Sequence, residues 1–270
     1  MLEKYKKYVQ GDKAFIPYGT LIIENSAFAG CEGLTGIEIP NSVTVIEEAA
    51  FAGCEGLTGI EIPNSVTDIG YEAFYGCTGL TSIEIPNSVR HIGKYAFAEC
   101  VGITCVVIPN SVTKIENKTF SGCKSLTNIE IPNSVTYIGY GAFAGCTSLT
   151  SIEIPNSVTE IEQAAFVSCS AIERITVHEK NPSFCSIDNC ILDITHSRLK
   201  CGCRNSIIPN SVTEIEDDAF AGCTGLTSIE IPNSVTRIGE SAFAGCTGLT
   251  SINIPESVTR IKRYTFYRCI

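Results

Sequence analysis

The chain has no tryptophan, one methionine and three histidines among its 270 residues. A core without tryptophan must be thin and regular, filled by Ile, Val, Leu, Phe and Cys. No run of 18 apolar residues occurs, which excludes an apolar membrane-spanning helix. The opening MLEKYKKYVQGDK is too charged to supply the apolar segment of a signal peptide. Cationic residues are also scarce, with 19 Lys and Arg against 29 Asp and Glu and a net charge of −10. That balance argues against nucleic acid as a partner, because phosphate binding calls for a basic surface. Lys4, Lys6 and Lys7 make one end basic, and Arg260, Lys262, Arg263 and Arg268 do the same at the other. Both groups read as solvated faces.

What the chain has in abundance is one motif of 23 residues. Its phenylalanine falls at Phe28, Phe51, Phe74, Phe97, Phe120, Phe143 and Phe166, and again at Phe220, Phe243 and Phe266. A cysteine follows each of these three residues later, from Cys31 to Cys269. Self-similarity at a fixed period means a stacked solenoid, each unit burying its apolar face against its neighbours. Within one copy, Leu80, Ile83 and Ile85 alternate with outward Ser82 and Glu84, the period of a half-buried strand. Pro86 cannot donate to a ladder and ends that strand. Asn87 and Ser88 supply turn oxygens. Val89 and Ile92 point inward on a second, less regular side. Tyr95–Ala98 reads as one helical or 3₁₀ turn, and the next position is usually Gly. Glu99, Ser168 and Arg268 replace that Gly, so a left-handed backbone is expected there as a preference only.

Fifteen cysteines would suggest a disulfide framework in a small secreted protein. Ten of them hold one repeat position, however, and read as buried apolar thiols. Turns about 4.8 Å apart would permit disulfides on distance alone. Cys185, Cys190, Cys201 and Cys203 stand in an interruption, where Cys169 and Cys223 are 54 residues apart. An atypical turn is expected over about 178–208, with Ser186–Cys203 as a β-hairpin anchored by Ile187, Ile191 and Leu199 and Thr195–Ser197 near its tip. Its cysteines have three readings: zinc ligands joined by His178 or His196, cross-strand disulfides, or packed and free thiols. Their spacing lacks the C-x₂-C pairs of a strong zinc motif. No metal or cofactor is therefore assigned.

The string IEIPNSVTxIGxxAFAGCTGLTS resembles the BspA-like leucine-rich repeat family, over a stretch from about Ile16 to the C-terminus. The resemblance implies a right-handed α/β repeat solenoid with a parallel concave β-sheet, borne by a surface or secreted microbial protein. The activity it implies is adhesion to a protein partner, such as a host surface or extracellular-matrix protein, without catalysis. Residues 1–15 are expected to cap the solenoid at 16–270, with Leu2, Tyr5, Tyr8 and Val9 as a short amphipathic helix. The chain stops in mid-repeat at Cys269–Ile270, which reads as part of a longer protein or as an end that pairs with another copy.

Two surfaces are candidate sites. The outward strand position is acidic at Glu38, Glu61, Glu84, Glu130, Glu153 and Glu230, interrupted by Val107 and Thr176. Like charges about 5 Å apart repel by roughly 1 kcal/mol in water, so such a track suits a basic partner or cations. The near-identity of the copies favours simple duplication of the unit as its origin. A uniform ladder also fails to split carboxylate pKa values as hydrolysis needs. No nucleophile–base pair or phosphate loop stands outside the repeat, so no enzyme is expected. The alternative surface is the face bearing Tyr71, Tyr95 and Tyr140, since tyrosine brings large area with a polar tip. A spacer that projects another domain is the alternative function.

Overall fold

The computed structural model describes residues 8–194 and 197–269. Successive 23-residue coils stack through parallel hydrogen-bond ladders. The first ladder is built by the Ile–Glu–Ile segment: Ser82–Glu84, Cys105–Val107 and Asn128–Glu130 pair side by side, in register at 23-residue offset. Ser151–Ile154 pairs in the same way with Arg174–Val177. Burial alternates as period two requires, with Ile83 and Ile85 inside and Glu84 exposed between them. The second side is a ladder too. Its rungs have two residues, among them Val45–Ile46, Asp68–Ile69, His91–Ile92, Lys114–Ile115, Tyr137–Ile138 and Glu160–Ile161. Each rung points its isoleucine inward and its variable residue outward.

The third side corrects the expected helical turn, for no α-helix occurs among the described residues. The residue two before each repeat phenylalanine has positive φ, as at Ala49, Glu72, Tyr95 and Lys118, and so has the residue two after it. Left-handed residues on both flanks break any helical run. The Gly position is left-handed without exception: Glu99, Ser168 and Arg268 have φ of 58°, 60° and 58°. Stacking explains this uniformity. Amides of the turn donate to the coil ahead, Phe51 N–H to Ala73 O at 2.8 Å and Gly53 N–H to Tyr75 O at 2.7 Å. Glu99 N–H does the same to Ser121 O at 2.7 Å. The backbone must therefore keep one shape, whatever side chain stands there.

Inside the turns the phenylalanines stack almost face to face, Phe74 on Phe97 at 5.3 Å between centroids and 3° between planes. The repeat cysteine has a polar role beside its apolar one. The thiols of Cys77 and Cys100 donate to the carbonyls of Phe51 and Phe74 one coil away, at 3.1 and 3.0 Å. Phe51 O also accepts the Cys54 N–H, so both lone pairs of a buried carbonyl are used.

The interruption holds two successive hairpins where one was expected. Phe184–Ile187, Cys190–Asp193 and Arg198–Cys201 are consecutive antiparallel strands, and the last runs parallel to Glu214–Ile215 and then Arg237–Ile238. Asp188 and Asn189 turn the first hairpin with φ of 49° and 62°, the conformation of a two-residue type I′ loop. Of the expected anchors, Ile191 and Leu199 are buried but Ile187 is exposed. The middle strand is buried on both faces. Ile191 joins the core of the preceding coils, while Cys190 and Leu192 join a second core that runs to Cys269. The hairpin thus divides the hydrophobic interior in two. The phenylalanine stack breaks at the same place, where Gly202 packs so closely on the Phe220 ring that a Cβ there would collide with it. At the other end, Val9–Gln10 pairs antiparallel with Lys13–Phe15, so Val9 lies in a strand instead of the expected helix. Leu2 and Tyr5 lie outside the described residues.

Candidate binding surfaces

All six glutamates of the acidic track are exposed on the strand face. They do not form one unbroken row. Glu61 bridges directly to Glu84, but Val107 stands between Glu84 and Glu130. Glu153 faces Thr176, Glu38 faces Phe15, and Glu230, beyond the hairpins, faces Asn253. Two depressions lie on this face. One of about 740 Å³ holds Glu61 and Glu84, with Val107 on its wall. The other, about 420 Å³, holds Glu130 and Glu153 beside Arg174 and His178. Neither Glu61 nor Glu84 makes an ion pair among the described residues. Arg174 holds the repeat position of Ser151 one coil earlier, and His178 stands where other copies have proline, so no repeat pattern announces a cation at either place.

The tyrosine face is a connected strip. The Tyr71 and Tyr95 rings meet edge to face at 5.7 Å. Lys118 Nζ then lies 5.4 Å from the Tyr95 centroid and 5.8 Å from that of Tyr140, within cation–π range of both. Asn117 Oδ1 accepts the Tyr140 N–H at 3.1 Å and the Tyr137 hydroxyl at 3.3 Å. A hydrogen bond with the Glu72 carboxylate, which favours the protonated phenol, pushes Tyr71 up to about 12. Tyr71 and Tyr140 are exposed, whereas Tyr95 is half-buried, less open than expected. Lys118, which ties the strip together, gives no signal in sequence because it occupies a variable turn position.

Residues 6–127, 91–194 and 195–270 match the BspA type leucine-rich repeat region, a pattern of six copies. The chain belongs to that family. It is similar to a leucine-rich cell surface protein from Faecalibacterium prausnitzii, 33% identical, with a TM-score of 0.69 over 84% of this chain and 69% of that one. A leucine-rich repeat protein from Bacteroides ovatus is 28% identical, with a TM-score of 0.57 over 96% of this chain and 76% of that one. The pneumococcal vaccine antigen PcpA, 20% identical, shares the fold with a TM-score of 0.62 over 95% of this chain and 64% of its own. No curated protein matches the chain.

This BspA-type chain keeps every cysteine as a free thiol. In the hairpins, Cys190 and Cys203 are buried while Cys185 and Cys201 are partly so. Burial pushes the Cys190 thiol up to about 12 and Cys201 well above its usual range. Both shifts oppose the thiolate that metal binding and nucleophilic attack need. Among the described residues no three His, Cys, Asp or Glu side chains are placed to hold a metal ion. His178 instead accepts the Lys180 N–H at Nδ1, and His196 lies outside the described residues. What sequence reasoning missed in this BspA-type turn is Asn181. Its amide donates to Pro155 O and Val158 O and accepts from the Ser183 and Phe184 N–H groups, which fixes the entry to the first hairpin.

Proposed function

We propose that the chain is a non-enzymatic protein-binding or adhesion module of a microbial surface or secreted protein, presenting its acidic strand face to a basic protein surface. The reading takes 16–270 as one solenoid, with that face concave, and 1–15 as its cap. The observation that carries it is the Glu61–Glu84 bridge. Two neighbouring carboxylates line one depression without a counter-cation among the described residues, and a partner's Lys or Arg would relieve their repulsion. The surface setting is supported by the Faecalibacterium relative, described as a cell surface protein. Host surface and extracellular-matrix proteins are the partner class to test. Native protein and a Glu61, Glu84, Glu130 and Glu153→Lys variant would be compared in pull-downs from host-cell and matrix extracts. A partner lost by the folded variant supports the reading.

The tyrosine strip supports a second reading, because Lys118 holds rings from neighbouring coils in one surface. A partner kept by the glutamate variant and lost by Tyr71, Tyr95 and Tyr140→Ala would favour it. Absence of any partner would favour a spacer.

A further inference from the structure

The hairpins leave the second ladder open. Along the regular coils most rungs donate to the rung before them, as Thr159 N–H does to Thr136 O at 2.9 Å and Glu162 N–H to Ile138 O at 2.8 Å, although His91–Ile92 and Lys114–Ile115 fall in separate sheets. The rung Glu160–Ile161 is the last of its sheet. Among the described residues no donor reaches Thr159 O or Ile161 O. The next amides along this side, Thr213 and Glu216, bond instead to Ser197 O and Leu199 O of the inserted strand. A groove of about 460 Å³ occupies the opening, lined by Glu160 and Glu162 and by Asp193, Arg198, Lys200 and Glu216. The edge of a sheet with unused carbonyls is a template for another strand.

Charge sets the kind of strand. The cations lining the groove are engaged. Arg198 lies 3.7 Å from Asp193 and 3.4 Å from Glu216, Lys200 2.9 Å from Glu216, Arg237 3.4 Å from Glu214, and Lys262 3.2 Å from Asp217. Glu160 and Glu162 have no ion-pair partner among the described residues. Beyond the hairpins the same repeat position carries its complement. Glu214 stands where Glu160 stands in its coil, and Arg237 of the next rung pairs with it in register. The Thr236 and Gly239 amides of that rung fill Thr213 O and Ile215 O at 2.9 and 2.8 Å, the counterparts of the two carbonyls left open.

We propose that this groove is a docking slot for an extended, basic peptide segment of a partner protein. The segment supplies two backbone N–H groups three residues apart to Thr159 O and Ile161 O, and places a Lys or Arg between them against Glu160. This slot lies on the second ladder, away from the acidic strand face, and stands or falls independently of it.

A probe exists within the chain: a synthetic peptide of residues 233–240, NSVTRIGE, which already forms such a rung. Titrated up to millimolar concentration into isotope-labelled protein, it is expected to shift the amide signals of Glu160–Gln163 saturably. N-methylation of its Thr236 and Gly239 amides should weaken it about tenfold or more, since two hydrogen bonds are lost. A peptide with Arg237→Glu, or protein with Glu160→Arg, should weaken it about fivefold. Protein stability, read by thermal unfolding, should be unchanged by Glu160→Arg, whose side chain is exposed. No saturable shift, or binding that survives N-methylation, overturns the slot. Concentration-dependent dimers that the peptide dissolves would overturn the choice of partner, since a second copy would then fill the groove.

Discussion

The regular coils and the inserted hairpins solve one problem by opposite means. In a coil, backbone groups on three sides bond to the neighbouring coil at offsets of 22 to 24 residues, other amides close turns within the coil, and side chains fill the interior. In the insert the three sides part company. The turn side nearly skips it, Ser168 N–H reaching Ala221 O at 2.8 Å. The first ladder is carried across by side chains, with Asn189 Oδ1 accepting the Ile175 N–H and Ser186 Oγ the Val177 N–H. The second ladder stays open beside Glu160–Ile161. Repetition makes each residue replaceable by its neighbours' pattern, whereas the insert depends on single side chains that do one task.

The largest expected effect tests the cooperativity of the two halves. Phe143→Ala removes a ring stacked on both sides, on Phe120 and Phe166 at 5.7 and 5.5 Å, and should cost about 3–5 kcal/mol. Because the core divides at the hairpins, calorimetry should show the coils before Cys169 melting ahead of those after it. A single transition shifted as a whole would mean that the two cores unfold as one.

Asn181→Ala should come next, at about 3 kcal/mol, since it orphans buried backbone groups that the amide now satisfies. Denaturant unfolding measures it. The repeat asparagines, such as Asn87, are exposed in their turns, and Asn87→Ala should cost clearly less. Equal costs would dissolve the contrast between repetitive and singular positions.

Glu99→Gly should act in the other direction. A left-handed residue with a Cβ carries about 1–2 kcal/mol of strain, so glycine at φ 58° should raise stability by about 1 kcal/mol. A loss instead would show that the Glu99 side chain, which lies over Gly122, does more for its coil than the strain costs.

The smallest effect leaves stability alone. Cys105 is the one exposed cysteine, and it should react first with a thiol reagent at pH 8. Ladder thiols such as Cys123 and Cys246, pushed up to about 12 by burial, should stay protonated and protected until unfolding. Mass spectrometry of the labelled peptides would show this order, and comparable early labelling of the ladder would contradict the packed core.

The architecture was legible because periodicity is a property of sequence. Alternation at Ile83, Glu84 and Ile85 and the breaking of each strand by proline follow from local chemistry. So does the outward place of each glutamate. The turn is not legible in this way, because Tyr95–Ala98 has the composition of a helical turn and nothing local shows that both flanks must be left-handed. That constraint comes from amides pairing with the coil ahead. The candidate sites divide in the same way. Which glutamates face solvent is written in the repeat, but Lys118 joining Tyr95 to Tyr140 depends on which coils are neighbours.

By itself, then, the sequence determined the solenoid, its period, its buried Phe and Cys columns and the position of its interruption. Each follows from one pattern repeated, which leaves a stacked chain only one way to bury its apolar side. The tertiary structure alone decided how the interruption is bridged. Residues 178–208 have no second copy to set their register, so their partners are chosen by packing: Ile191 toward one core, Leu192 toward the other, and Gly202 against the face of Phe220.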